Sequence, residues 1–256
     1  MPLAGGFKAK EQVYYGGASQ TWAEGDKLEY GGKGVVVGPM TGHDDQVAVL
    51  FPGNKGFVGC LVTQLSRTPP PTTLAGGFKV NEQVHWCRAS ETTSKGEVEY
   101  GGKGEVAGPH DTEPATRVMV RFPGNKGNVG CCVTMLGRSP PPTTLAGGFG
   151  MNEQVYYRGP SWTAPNGDKL EYGGKGEVVG PYTHPSGEPA VEVLFPGNKG
   201  NLACRVTELR RPPPPPLAGG VKVTEQVYFG GAGPMGTTEH EREGDGQGQA
   251  VAPVAR

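Results

Sequence analysis

The feature that most constrains this chain is an internal repeat. The string LAGG begins at Leu3, Leu74, Leu145 and Leu217, with spacings of 71, 71 and 72 residues. Two further motifs, YGGKG and FPGNKG, occur in each of the first three units and are missing from the fourth. A chain with such a period folds as a series of similar small units. We therefore predict complete units at residues 3–67, 74–138 and 145–211, a truncated fourth unit at 217–229 and a tail at 230–256.

Apolar residues alternate with polar ones inside each unit, which predicts short β-strands. The FPGNKG motif is rich in turn-forming residues and predicts a hairpin between the third and fourth strands. A single 3₁₀ turn is expected at residues 207–209. The residues expected to be buried together in the third unit are Val155, Val178, Val193, Phe195, Cys204, Val206 and Leu209. Five short strands, a long loop after the first and a late 3₁₀ turn predict an all-β fold of tandem SH3-like small β-barrels.

The segments between the units are rich in proline. Runs of proline at 69–71, 140–142 and 212–216 cannot pair into a sheet, and they favour an extended polyproline II conformation. We expect semi-rigid linkers that hold the barrels apart. The tail at 230–256 is rich in glycine and polar residues without periodic apolar positions, and this predicts disorder.

Charge and cysteine content exclude several classes of function. The 24 basic and 25 acidic residues give a net charge of −1, which disfavours binding to nucleic acid or to an anionic membrane surface. The sequence has neither an apolar run long enough to cross a bilayer nor a secretory signal, so we expect a soluble cytoplasmic chain. The five cysteines form no CxxC pair. Cys60, Cys131 and Cys204 occupy equivalent strand positions and are interpreted as small buried hydrophobes.

The strand pattern also resembles a known family. The segments GEVVGP, VEVLFPGNKGNL and TEL between Gly176 and Leu209 resemble the SH3-like repeat of Mind bomb-type proteins, and more loosely the Tudor and KOW-like small barrels. The LAGG, YGGKG and FPGNKG motifs resemble multi-copy repeat proteins predicted from single-celled algae. The Mind bomb resemblance implies barrels that bind peptide tails, whereas ubiquitin transfer in that family belongs to RING domains. This sequence contains no RING-like series of cysteine and histidine.

Aromatic residues recur in each unit and are the strongest candidates for a binding site. Adjacent residues on a strand point to opposite faces, so one member of each aromatic pair in the first strand is expected to face outward. We assign the outward position to the second member and expect it to join the loop tryptophan and the tyrosine of YGGKG in a peptide-binding groove. The candidate residues are Tyr15, Trp22, Tyr30, Trp86, Tyr100, Tyr157, Trp162 and Tyr172. The alternatives are that these rings only cover a thin core, or that the chain's own linkers occupy the grooves.

Other motifs favour structural roles. Lys33, Lys103 and Lys175 are followed by glycine without the serine or threonine and the helix that a phosphate-binding loop needs. Lys55, Lys126 and Lys199 present one charge at each hairpin, which would suit an acidic polymer but is typical of a solvated turn. A glutamate repeats at the start of the first strand without a second carboxylate beside it, and the histidines share no spacing typical of a metal or catalytic site. We expect no cofactor and no enzymatic activity.

The sequence therefore predicts a non-enzymatic, multivalent interaction protein that binds extended peptide segments, including proline-rich ones. Self-association through its own linkers is a further expectation. One alternative is a fragment of a larger modular protein, such as an adaptor in ubiquitin ligation. Another is a KOW-like repeat that binds nucleic acid weakly.

Overall fold

A computed structural model of the chain describes residues 3–215 together with the two short strands Gln226–Val227 and Gly248–Gln249, which pair with each other. The regular structure of the described residues consists of β-strands and three-residue 3₁₀ turns, so the fold is all-β. Apart from those two short strands, the predictions of a truncated fourth unit at 217–229 and of a disordered tail at 230–256 lie outside the described residues.

The chain divides into two compact units, residues 1–141 and 142–256. The first unit contains the first two sequence repeats, here called module 1 (3–67) and module 2 (74–138). The second unit contains the third repeat, called module 3 (145–211). Each compact unit is described by itself below.

Each module has seven strands. In module 1 they are β1 Gln12–Tyr15, β2 Gln20–Thr21, β3 Lys27–Leu28, β4 Lys33–Pro39, β5 Gln46–Leu50, β6 Phe57–Leu61 and β7 Leu65–Ser66. In module 2 they are β8 Gln83–Trp86, β9 Glu91–Thr93, β10 Gly96–Val98, β11 Lys103–Pro109, β12 Arg117–Arg121, β13 Val129–Cys132 and β14 Leu136–Gly137. In module 3 they are β15 Gln154–Tyr157, β16 Trp162–Thr163, β17 Lys169–Leu170, β18 Lys175–Thr183, β19 Pro189–Leu194, β20 Leu202–Arg205 and β21 Leu209–Arg210.

Five strands of each module form one antiparallel sheet. The order in module 1 is β6-β5-β4-β1-β7, and modules 2 and 3 repeat that order with their equivalent strands. The remaining two strands form a separate small hairpin, β2 with β3 in module 1. A 3₁₀ turn precedes the last strand of every module, at Val62–Gln64, Val133–Met135 and Val206–Glu208. Another lies over each LAGG motif, at Ala4–Gly6, Ala75–Gly77 and Ala146–Gly148.

The buried core follows the alternation in the sequence. Of the residues expected to be buried in module 3, all are buried except Val206, which is half-buried in the 3₁₀ turn. That turn begins one residue earlier than predicted, so Leu209 lies in β21, where it is buried. Cys60, Cys131 and Cys204 are buried as expected. The inward-facing positions predicted for these valines, Phe195, Leu209 and the three cysteines are therefore confirmed, apart from the half-buried Val206.

A repeated clasp joins the beginning of each module to its end. In module 1 the guanidinium of Arg67 lies 4.5 Å from the centre of the Phe7 ring and 2.7 Å from a carboxylate oxygen of Glu11. The other Glu11 oxygen accepts a hydrogen bond from the Lys8 amide at 2.7 Å. This amide is the main cause of the lowered pKa of Glu11. Equivalent clasps form at Arg138 and Arg211, so the repeated glutamate has a structural role.

Modules 1 and 2 are in direct contact, contrary to the expectation that proline linkers hold neighbouring barrels apart. The Ser19 amide donates to the Ala107 carbonyl at 2.7 Å, and the Gln64 side chain donates to Asp111 at 3.2 Å. The approach is close, since a Cβ added to Gly108 would lie 2.6 Å from the Cα of Ala18. The first linker therefore connects two modules that pack on each other.

Candidate functional site

Three of the candidate aromatic residues belong to the core. Tyr15 is 1% exposed, and Trp86 and Tyr157 are each 2% exposed. Their assignment as the outward members of the aromatic pairs is wrong. The outward members are the half-buried residues Tyr14, His85 and Tyr156.

The polar tips of the three buried rings explain why they can face the core. The Tyr15 hydroxyl donates to the Ala18 carbonyl at 3.3 Å, and the Trp86 indole N–H donates to the Ala89 carbonyl at 3.0 Å. Tyr157 makes the equivalent bond to Pro160 at 3.2 Å. Each ring also packs edge-to-face against the phenylalanine of the FPGNKG motif. Burial raises the pKa of Tyr15 to about 12, so this hydroxyl stays neutral and serves the fold.

The tyrosines of the YGGKG motif lie elsewhere, against the proline linkers. The Tyr30 hydroxyl donates to the Pro71 carbonyl at 2.8 Å, and the Tyr172 hydroxyl donates to the Pro215 carbonyl at 3.1 Å. Both rings are half-buried, and so is that of Tyr100. In modules 1 and 3 the tyrosine thus binds the backbone of the linker that follows its own module.

The glycine after each of these tyrosines lies beside a proline ring. The Cγ of Pro70 lies 3.9 Å from the position of a Cβ on Gly31, and the corresponding distance from Pro214 to Gly173 is 3.8 Å. Pro70 and Pro214 are half-buried, whereas the prolines on either side of them are exposed. We call Tyr30 with Gly31, and the equivalent pair Tyr172 with Gly173, the tyrosine–glycine surface.

Trp22 lies in a different place, in a cleft between modules 1 and 2. This cleft has a volume of about 660 Å³, and Tyr30 is not among the residues that line it. Trp22 is 37% exposed there. The cleft is lined by Tyr15, Ala18, Gln20, Thr21, Trp22, Gln64, Lys95, Asp111, Met119, Arg121, Lys126, Gly127 and Asn128. Three cationic side chains face one carboxylate, so the cleft favours a ligand with acidic groups.

Trp22 and Trp162 are not structural equivalents, although the sequence suggested that they are. Gln20 pairs with Leu28 in the small hairpin of module 1, and Trp162 pairs with Leu170 at the same position in module 3. Trp162 therefore corresponds to Gln20. It is 47% exposed and follows Ser161 directly. The eight candidate residues do not form one groove repeated in each module.

In modules 1 and 3 the backbone amide of the lysine in the FPGNKG hairpin donates a hydrogen bond to an aspartate side chain. In module 3 the Lys199 amide donates to Asp168 at 2.7 Å, and in module 1 the Lys55 amide donates to Asp26 at 2.8 Å. The Asn198 side chain also donates to the Lys169 carbonyl and accepts from its amide, each at 2.8 Å. These bonds fix the position of the FPGNKG hairpin, which favours a turn role for the motif.

The described residues contain neither a candidate metal site nor a membrane-spanning helix. Within the part of the chain that the structure describes, histidine, cysteine and carboxylate side chains do not gather into a set able to hold a metal ion. Among the same residues, no helix has the length and apolar character needed to cross a membrane. Neither the protein-family models nor the curated proteins contain a match to this sequence.

Proposed function

We propose that this chain is a non-enzymatic, multivalent interaction protein whose modules bind extended, proline-containing peptide segments through the tyrosine–glycine surface. The observation that carries the proposal is the hydrogen bond from Tyr30 to Pro71, repeated from Tyr172 to Pro215. Aromatic surfaces bind polyproline II segments in this way: a tyrosine hydroxyl donates a hydrogen bond to a backbone carbonyl of the segment, and a proline ring packs beside it. The chain's own linker is then the first occupant of each surface.

An external peptide competes with this tethered linker. A short tether gives the linker an effective concentration of about the millimolar range, so a single weak peptide binds poorly in competition. A ligand with several proline segments displaces several linkers at once and gains from multivalency. Repetition of the same surface suits this function.

We further propose that each module is an SH3-like barrel. Three features support it: the antiparallel order β6-β5-β4-β1-β7, the long connection from β1 to β4 that contains a small hairpin, and the 3₁₀ turn before β7. The resemblance of the sequence to Mind bomb-type repeats agrees with this description. An adaptor role in a larger assembly would use the same surface.

The charge balance favours peptide binding over binding to nucleic acid. A net charge of −1 supplies no general attraction for phosphate, although the cleft at Trp22 is locally cationic. We expect acidic side chains of a bound peptide to contact that cleft, as an extension of the same function.

The proposal is tested with the full chain and a fluorescent peptide of residues 67–73. In one variant, Pro69, Pro70 and Pro71 are all changed to serine, which removes the polyproline preference of the first linker. Fluorescence anisotropy should then report peptide binding well above that of the wild-type chain, because the surface on module 1 is vacated.

Two further variants, each made in the chain with the three proline-to-serine changes, test whether the Tyr30 hydroxyl itself binds the peptide or whether loss of any tyrosine hydroxyl from module 1 lowers affinity. Tyr30→Phe keeps the ring and removes one hydrogen bond, so affinity should fall by about 2- to 10-fold. Tyr14→Phe, on strand β1, should leave affinity unchanged. Absence of binding to the vacated surface, or equal affinity in the Tyr30→Phe variant, would contradict the proposal.

A further inference from the structure

The contact between modules 1 and 2 joins a loop to the outer face of a sheet. The Ser19 amide bonds to Ala107 on β11, and the Ser19 carbonyl accepts a hydrogen bond from the Asn128 side chain at 2.9 Å. Arg121 donates to the same carbonyl at 3.4 Å. We call residues 16–20 the docking loop of module 1, and we call Ala107, Arg121 and Asn128 the receiving face of module 2. The loop covers Ala107, which is only 3% exposed, while Arg121 stays exposed and Asn128 half-buried at the edge of the contact.

Module 1 presents the same receiving face uncovered, and there it is apolar. Val37, Leu50 and Phe57 stand where module 2 has Ala107, Arg121 and Asn128, and they are 46%, 44% and 59% exposed. Val35, which is 37% exposed, pairs with Leu50, and Leu50 pairs with Phe57, so these residues form a row across β4, β5 and β6. Val37 lies two residues further along β4, at the register shift. Exposed apolar side chains grouped in this way mark an interaction surface.

The backbone of this face is also open to an approaching loop. A Cβ added to Gly108 in module 2 meets the docking loop, whereas a Cβ added to the equivalent Gly38 in module 1 meets nothing within 4 Å. The register of both sheets shifts at this glycine, between Val36 and Gly38 and between Val106 and Gly108. Module 1 therefore has the shape of the receiving face without the loop that fills it in module 2.

Module 3 carries a docking loop of matching character at residues 158–162. The Ser161 hydroxyl accepts a hydrogen bond from the Tyr172 amide at 2.9 Å. In module 1 the Ser19 hydroxyl accepts the equivalent bond from the Tyr30 amide, also at 2.9 Å. The residue after Ser161 is the exposed Trp162, where module 1 has Gln20. The loop that meets the polar face of module 2 therefore ends in Gln20, whereas the loop of module 3, which also carries the exposed Arg158, ends in a tryptophan that suits the apolar face of module 1.

We propose that the docking loop of module 3 in one copy of this chain binds the receiving face of module 1 in a second copy. Burial of Trp162 against Val37, Leu50 and Phe57 supplies the apolar contact, and the mode of approach is that already formed between modules 1 and 2. The two surfaces differ, so the association is head-to-tail and extends to further copies. This inference uses other residues than the tyrosine–glycine surface and goes beyond peptide binding.

The test is sedimentation velocity of the full chain over a range of concentrations. The wild-type chain should show an average mass that rises with concentration beyond that of a dimer. Trp162→Gln and Phe57→Asn each introduce the residue found at the equivalent position of another module, so both should fold, and each should abolish association. Trp22→Gln removes a similarly exposed tryptophan outside the docking loop and should leave association intact.

Mixing the two inactive variants distinguishes head-to-tail contact from a symmetric one. The Phe57→Asn chain retains its docking loop and the Trp162→Gln chain retains its receiving face, so a mixture should form a 1:1 dimer and no larger species. A wild-type chain that stays monomeric overturns the proposal. So does association that persists in Trp162→Gln, because another occupant would then cover the apolar face.

Discussion

The residue before the repeated glutamate has a left-handed backbone in each of the three modules. Lys10, Asn81 and Asn152 occupy this position with φ of 68°, 65° and 60°. A left-handed backbone costs most L-residues about 1–2 kcal/mol, and asparagine tolerates it better than lysine. We expect Lys10→Asn to stabilise module 1 by a fraction of that cost, under about 1 kcal/mol, in urea unfolding. Asn81→Lys should destabilise module 2 by a similar amount, and an unchanged or lowered stability of Lys10→Asn would refute the argument.

The five cysteines should differ strongly in reactivity. Burial raises the pKa of Cys60, Cys131 and Cys204 to about 12, whereas hydrogen bonding from Thr134 lowers the pKa of the half-buried Cys132. Because the thiolate is the reactive form, iodoacetamide should modify Cys132 first. The three buried thiols should react only after unfolding in urea. Mass spectrometry of each peptide checks this, and labelling of Cys60 as fast as that of Cys132 would contradict it.

The sequence pattern does not settle which member of each aromatic pair in the first strand points into the core. Alternation correctly requires one member inside and one outside, but in modules 1 and 3 both members are tyrosine, so the pattern is symmetric. Module 2 contains a signal that resolves it. There the pair is His85 and Trp86, and the more apolar second residue indicates the inward position. The hydrogen bonds that satisfy the buried rings depend on loop carbonyls three residues ahead, which no alternation pattern specifies.

At the scale of the strand and hairpin, Asp168 should give module 3 a pH-dependent stability. Hydrogen bonds from the Lys199 amide and from Asn166 lower the pKa of Asp168 below its ordinary value of 3.8. A lowered folded pKa means that the ionised carboxylate stabilises the fold above 3.8, and that this contribution is lost as pH falls through the folded pKa. Asp168→Asn should therefore destabilise module 3 at neutral pH, and the difference from wild type should shrink below about pH 4.

Amide hydrogen exchange at Lys199 reports this hairpin directly, because its N–H donates to Asp168. Exchange should be faster in Asp168→Asn at neutral pH. Glu171→Gln, which removes an exposed carboxylate from the same module, should leave it unchanged. A difference between wild type and Asp168→Asn that stays constant down to pH 2 would show that ionisation is not the cause.

The main elements of each module follow from the sequence, and the smallest ones do not. Alternation located β15, β18, β19 and β20, because each places several apolar residues on one face. The small hairpin of β16 and β17 has two residues in each strand, which is too short for a period to appear. Its position depends on contacts such as that of Asn198 with Lys169, across 29 residues of sequence.

At the scale of the molecule, composition predicts that the linkers are extended but does not specify which surface a linker contacts. Proline runs do favour extended chain, but Pro71 binds Tyr30 on the preceding module. The contact of Ser19 with Ala107 joins residues with no shared motif. Docking of this kind depends on complementary shape between two folded surfaces, so it could not be derived from the pattern of either repeat.

The contact between modules 1 and 2 should depend on the absence of a side chain at Gly108. In Gly108→Ala the new Cβ would lie 2.6 Å from the Cα of Ala18, and the docking loop must move away. The Ser19 amide, which donates across the contact to Ala107, should then exchange with deuterium at least tenfold faster, in keeping with the loss of about 1.4 kcal/mol or more of protection.

Gly38→Ala provides a control for the added Cβ, which at the equivalent position of module 1 meets nothing within 4 Å. Gly108 also has a positive φ of 155°, so backbone strain within β11 is a second cost of Gly108→Ala that this control does not include. It should leave exchange at Ser19 unchanged. The Tyr15 amide, bonded to Gly32 inside module 1, should stay protected in Gly108→Ala if only the contact is lost. Unchanged protection of Ser19 in that variant would mean that the contact tolerates a side chain at Gly108, and close backbone approach would then not be what joins the modules. Loss of protection at both amides would instead mean that module 1 depends on module 2 for its fold.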